Sequence, residues 1–154
     1  MLFIFLHLYA RIGDIVGSLW HGDGKELDRL ETALEAAGVA WWWMELPSGV
    51  VFFSSNKTRM LGWSDKTFVH YNDFVKLVHP EDQAAIMQNM RDHIAGKTDL
   101  YAVTYRIKKK DGTYVQFYDR GKIVAKKGGE ITLAGIVIDT STIDLAQMQL
   151  RELI

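Results

Sequence analysis

Between Tyr101 and Ile138 the sequence reads as three consecutive β-strands, and this constrains the fold more than any other stretch. Tyr101, Val103, Tyr105 and Ile107 alternate with Ala102, Thr104, Arg106 and Lys108, the period of two that a strand with one buried face produces. Asp111-Gly112 is a hairpin turn signal, Thr113 to Val124 the returning strand, Gly128-Gly129 the next turn, and Ile131 to Ile138 the last strand. An antiparallel meander of this kind buries one face, so helices from elsewhere in the chain must cover it.

Those helices lie upstream. Ala40 to Leu46 and Val50 to Ser54 read as a hairpin around Pro47-Ser48-Gly49. Asn56 to Leu61 is a short helix closed by Gly62. Ser64 to Val78 has no long period and reads as helical turns with Phe68, Phe74, Leu77 and Val78 inward. Pro80 suits the first position of a helix, where its missing N–H costs nothing, and Glu81 and Asp82 follow where the helix dipole favours acids. Ile86, Met90 and Ile94 share one face of that helix, and Gly96 ends it. Helices gathered between two groups of antiparallel strands predict an α+β fold with the helices on one face of the sheet.

Phe5, Leu8, Ile12, Ile15 and Leu19 repeat at spacings of three and four, the stripe of an amphipathic helix. Leu27, Leu30, Leu34 and Ala37 form a second stripe after Gly22-Asp23-Gly24. Both are too short for a coiled coil, so each needs cover from its own sheet or from a second copy of the chain. Thr140 to Ile154 begins a further helix with Ile143, Ala146, Leu150 and Ile154 on one side. The chain therefore parses as an N-terminal helix and linker (1–25), one domain (26–141) and the start of an exit helix (142–154).

Charge is nearly balanced at −1, and Lys108-Lys109-Lys110 and Lys126-Lys127 flank turns at opposite ends of the meander. They do not pool into the basic surface that nucleic acid requires. The chain has no cysteine, which removes disulfides, thiolate metal sites and a thiol nucleophile. Met1 to Ala10 is nearly all apolar, but it is too short to span a bilayer and lacks the basic start of a signal peptide. A cytoplasmic domain without membrane contact of its own is expected. The alternative is that this stretch is the tail of a membrane helix anchoring a larger parent.

Four motifs in order add to this. They are Met60-Leu61-Gly62-Trp63, then Leu77-Val78-His79-Pro80-Glu81-Asp82, then Tyr105-Arg106-Ile107 with Lys110-Asp111-Gly112, and finally Gly135-Ile136-Val137-Ile138-Asp139. Asp119-Arg120-Gly121 accompanies them. Together they resemble a PAS sensory domain of the subgroup with an attached C-terminal motif, over roughly Leu27 to Ser141. The resemblance implies a five-stranded sheet in the order 2-1-5-4-3, a pocket between sheet and helices, and an N-terminal flanking helix and a C-terminal exit helix. It further implies a homodimeric sensory module that passes a signal to an effector such as a histidine kinase. A diguanylate cyclase or chemotaxis-type effector, or a ligand-free scaffold, are its alternatives. The chain has Asp139-Thr140-Ser141 where the family has Asp-(Ile/Val)-Thr, so Asp139 and Ser141 are the expected relay and cap of the exit helix.

Strand alternation puts Trp42 and Met44 on the core side and Trp41 and Trp43 on the outer face. Exposed tryptophans need cover. Trp41 and Trp43 therefore join Phe5, Leu8, Ile12, Ile15 and Leu19 as the expected dimer contact. The expected pocket lining is Trp42, Met44, Met60, Phe74, Leu77, Ile86, Met90, Leu133 and Val137, with Thr104 and Gln116 as scattered polar members. Such a list is more often simple core than cofactor cavity, and a ligand that entered it would be small and apolar or aromatic.

No catalytic constellation stands out, so the chain is read as no enzyme. His79, Glu81 and Asp82 read as a helix start rather than a metal cluster. His70 and His93 are the candidate haem ligands. In haem-binding relatives the ligand lies further back on the helix than His93, so a surface or rim histidine is expected there and haem is not. By the same resemblance, Val137 stands where a glutamine would read a flavin, and the lack of cysteine excludes cysteine–flavin photochemistry.

Overall fold

The structure, a computed structural model, describes residues 24–64, 68–141 and 150–153. The chain divides into two compact units, Met1–Ala33 and Leu34–Ile154, and the second holds the sheet. The described elements are α1 (Gly24–Ala36), β1 (Val39–Leu46), β2 (Val51–Phe53), α2 (Ser55–Met60), α3 (Tyr71–Val75), α4 (Pro80–Ile94), β3 (Tyr101–Lys108), β4 (Tyr114–Lys127) and β5 (Glu130–Asp139). The expected stripe Phe5 to Leu19 lies outside the described residues, as does 142–149 of the exit helix. No residue of α1 is buried.

The five strands form one sheet in the order β2-β1-β5-β4-β3, with every neighbouring pair antiparallel. Gly112, Gly128 and Gly129 take positive φ at the two meander turns, a conformation that only glycine adopts freely. The lysine runs fall at opposite ends of β4, as the sequence predicts. A bulge between Ile123 and Ala125 interrupts the β4–β5 ladder at Val124.

Inward parity decides the core. Met44, Leu133, Tyr105, Ile107, Phe117 and Val137 are buried on the helical side of the sheet. Phe53, Phe68, Phe74, Tyr105 and Phe117 form a run of neighbouring rings with centroids 5.7 to 6.5 Å apart, mostly edge to face. Trp42 lies flat across β5 and β4 because Gly135 and Gly121, paired across the ladder, leave room for its indole. A Cβ on Gly121 would stand 2.5 Å from the Trp42 ring.

Helix α4 begins as expected. Pro80 is its first residue, and the N-cap His79 accepts a hydrogen bond from the Glu81 N–H through Nδ1, at 3.3 Å. Asp82 then fastens the helix to edge strand β3. Its Oδ2 accepts from the Arg106 N–H (2.8 Å) and Nε (2.9 Å), and its Oδ1 from an Arg106 terminal nitrogen (2.8 Å). Glu81 takes a further bond from the same guanidinium at 2.9 Å. These contacts hold the Asp82 carboxyl down at about 2. At its other end α4 is held by His93, which is 4% exposed.

Candidate functional site

Helix α2 is tied down before it presents anything. Ser54 exchanges hydrogen bonds with Trp41, its N–H donating to the Trp41 carbonyl (2.9 Å) and its Oγ accepting from the Trp41 N–H (3.0 Å). The Asn56 side chain donates to the Val39 carbonyl at 3.2 Å. With one side fixed on β1, the helix turns Lys57 into the interior, where it is 2% exposed. Its Nζ lies 4.1 Å from the ring centroids of both Phe53 and Phe74, an aromatic clamp on a cation.

Facing it from β4 is Asp119, 4% exposed. Asp119 Oδ1 accepts a hydrogen bond from Trp42 Nε1 at 2.6 Å, and Oδ2 accepts one from the Tyr105 hydroxyl at 2.9 Å. No hydrogen bond or ion pair joins Lys57 and Asp119 directly; they attract through space. Burial lowers the Lys57 ammonium to about 8, and the charge of Asp119 opposes that. Burial likewise pushes Asp119 up, against the pull of Lys57, Tyr105 and Trp42. Tyr101 and Tyr105 are raised above their ordinary range by burial first and by Asp119 second.

Lys57 and Asp119 border a cavity of about 220 Å³ between the sheet and α4. Its walls are Trp42, Met44, Leu46, Val51 and Phe53 from the first hairpin, Tyr71, Phe74 and Val75 from α3, Ile86, Met87, Met90, Arg91 and Ile94 from α4, and Tyr101 from β3. Of the expected lining residues, Trp42, Met44, Phe74, Ile86 and Met90 border it. Leu133 and Val137 are fully buried in the sheet, and Met60 and Leu77 pack against the core away from the cavity. Thr104 and Gln116 are corrections. Both are exposed, because the alternation that turns Tyr105 and Phe117 inward turns their neighbours outward. Gln116 Oε1 instead accepts from the Thr140 hydroxyl at 3.2 Å.

His93 is also a correction, since it is not on a surface or rim. Its Nδ1 lies 2.9 Å from the Thr98 carbonyl and its Nε2 accepts from the Ile123 N–H at 3.1 Å. Both ring nitrogens are committed to the fold, which leaves neither for a haem iron. His70 caps α3, with Nδ1 accepting from the Asn72 N–H at 3.1 Å. Among the described residues no three metal-ligating side chains cluster.

Asp139 ends β5. Its Oδ1 accepts from the Ser141 N–H (2.9 Å) and hydroxyl (2.6 Å), the cap expected for a departing helix, and Thr140 and Ser141 are helical. Trp41 and Trp43 are half-buried on the outer face, where Trp43 pairs with Phe52 and with Ala134. Lys57 is the buried charge of the site that the sequence conceals. Asp119 carried a signal, a charge at the inward parity of Phe117 and Gly121.

The sequence matches the family model for the PAS fold, PAS_3, over residues 50–137. The chain belongs to the PAS fold family. It is similar to a blue-light-activated histidine kinase of Brucella anthropi, 30% identical over 118 residues, which are 76% of this chain and 23% of that protein. The corresponding kinase of Brucella abortus strain 2308 is 28% identical over 117 residues, with the same shares covered. The chain thus spans about a quarter of the curated relatives it matches. Among solved structures, this PAS domain resembles a sensory box histidine kinase/response regulator from Burkholderia thailandensis (TM-score 0.59, 20% identity, 80% of this chain and 98% of that one). It also resembles the N-terminal domain of a diguanylate cyclase with PAS/PAC sensor from Marinobacter aquaeolei (TM-score 0.60, 24% identity, 67% and 95%). These likenesses establish the fold. Among the described residues no helix is long and apolar enough to cross a membrane.

Proposed function

We propose that this PAS domain is a cytoplasmic sensory and dimerisation module that detects a small apolar or aromatic molecule and relays its presence to an effector of the histidine kinase class. Its part is detection and coupling, and any catalysis belongs to the effector. The observation that carries the reading is the cavity of about 220 Å³ that ends on a buried ammonium. A tightly filled core has no use for either feature. The relay runs along the sheet. Asp119, at the cavity, pairs with Val137 of β5, and two residues further on Asp139 caps the exit segment. A ligand shifts this path only by binding its two states unequally.

The curated relatives are named as blue-light-activated, and cysteine–flavin chemistry has no thiol to use here. A dissolved ligand is therefore the better cue for this chain. The apolar outer face of β1 and β5, with Trp43 and Ile136, is the surface through which two copies pair. The test is hydrogen exchange of the chain with and without saturating toluene. Slowed exchange must reach beyond the cavity to residues 139–141. Protection confined to the cavity walls refutes the relay, and a strictly monomeric mass in native spectra refutes the pairing.

A further inference from the structure

We infer that Lys57 is the recognition group of the cavity, and that its ligand is a small, uncharged aromatic molecule carrying a carbonyl oxygen. The inference rests on the reading of the cavity as the sensing site and adds what that site selects. An ammonium has three N–H donors. Lys57 Nζ lies 4.1 Å from the ring centroids of Phe53 and Phe74, and Asp119 acts on it through space rather than by a hydrogen bond. Buried polar groups nearly always find a partner. Since Lys57 borders the cavity, a molecule that fills it can supply an acceptor to the free N–H groups. Water is a poor filler, because a buried water needs two to four polar partners. Both Asp119 oxygens are already engaged by Trp42 and Tyr105, and Met44, Val51 and Met90 are among the apolar walls of the cavity.

Charge and size narrow the class. Asp119 supplies the negative charge that balances Lys57. A ligand carboxylate would add an unbalanced charge beside a second, buried carboxylate. A carbonyl oxygen takes the free N–H groups without that cost. An apolar cavity of about 150 Å³ accepts benzene. At about 220 Å³ this one has room for one substituted ring, which Trp42 and Tyr101 would meet with their faces and edges.

The test compares three probes of one size on the wild-type chain by ligand-observed NMR: acetophenone, its oxygen-free isostere α-methylstyrene, and benzoate. Acetophenone should bind roughly tenfold tighter than α-methylstyrene, the range of a hydrogen bond to a charged donor. In Lys57→Met that preference should vanish while α-methylstyrene still binds. Should Lys57→Met not fold, a pH series on the wild type decides. The preference must fall as Lys57 loses its proton near pH 8. The other titratable groups lining the cavity are Asp119, Tyr71, Tyr101 and Arg91, and Tyr105 stands behind Asp119 as its hydrogen-bond donor. Equal binding of acetophenone and α-methylstyrene overturns the role of Lys57 and leaves the sensing cavity standing. Tighter binding of benzoate overturns the uncharged class. Binding of none of the three overturns both this inference and the sensing cavity.

Discussion

Asp119→Leu is the sharpest perturbation of the site, because it removes one charge and leaves three donors without an acceptor or countercharge. Trp42 Nε1 loses a bond of 2.6 Å, the Tyr105 hydroxyl one of 2.9 Å, and Lys57 the charge that opposes its desolvation. Each orphaned buried donor costs about 1–3 kcal/mol, and the lost through-space attraction to Lys57 adds to that. Against these stands the desolvation of Asp119 itself, which burial already makes expensive and which leucine does not incur. A net loss of about 4 kcal/mol follows, a large share of the 5–15 kcal/mol that keeps a domain folded. Asp119→Asn keeps one acceptor oxygen and should lose about half as much. The assay is equilibrium urea unfolding at pH 7, followed by far-UV circular dichroism because Trp42 fluorescence changes with the mutation. The double variant Asp119→Leu/Lys57→Met should be clearly more stable than the sum of the single losses predicts, since it removes both charges. Additive losses would show that the two charges do not feel each other. An Asp119→Leu variant as stable as wild type would show that the desolvation of Asp119 offsets the whole network.

Three further outcomes follow. The stability of wild type relative to Lys57→Met should rise between about pH 8 and 10.5: the folded state gives up the Lys57 proton near 8, the unfolded chain holds it to 10.5, and at about 1.4 kcal/mol per pH unit the gain is at most ~3.5 kcal/mol. A flat difference in paired unfolding curves would mean that Lys57 titrates as if exposed. Asp82→Ala should destabilise by about 1–2 kcal/mol in neutral urea melts, and the difference should shrink as pH falls from the ordinary carboxylate range towards about 2, where wild-type Asp82 also protonates. Gly135→Ala should lose about 3 kcal/mol in the same melts, because the new methyl meets both the Trp42 indole and the Arg120 carbonyl; unchanged stability would mean that Trp42 does not lie against β5.

What the sequence disclosed follows from how far each signal reaches. Strand parity and turn chemistry are local, so β3, β4 and β5 were legible within a residue or three at their ends, as was α4 from Pro80 and its apolar spacing. The strand order 2-1-5-4-3 is not local and came only with the family resemblance. Parity also places Thr104 and Gln116 outside the core, whatever their polarity suggests. Asp119, Gly121 and Gly135 were visible as motif letters, but their reason appears only when Trp42 is laid across the two glycines and bonded to the aspartate. Lys57 was out of reach for a different reason. In a six-residue helix reading Ser-Asn-Lys-Thr-Arg-Met no periodicity separates inside from outside, and a lysine there reads as solvent-facing. Its burial depends on Ser54 and Asn56 pinning α2 to β1 and on two phenylalanines distant from each other in sequence closing over the amine. A group that local pattern would place in water, yet tertiary structure holds in an aromatic box, costs stability unless something uses it, and the cavity beside it is where that use must be sought.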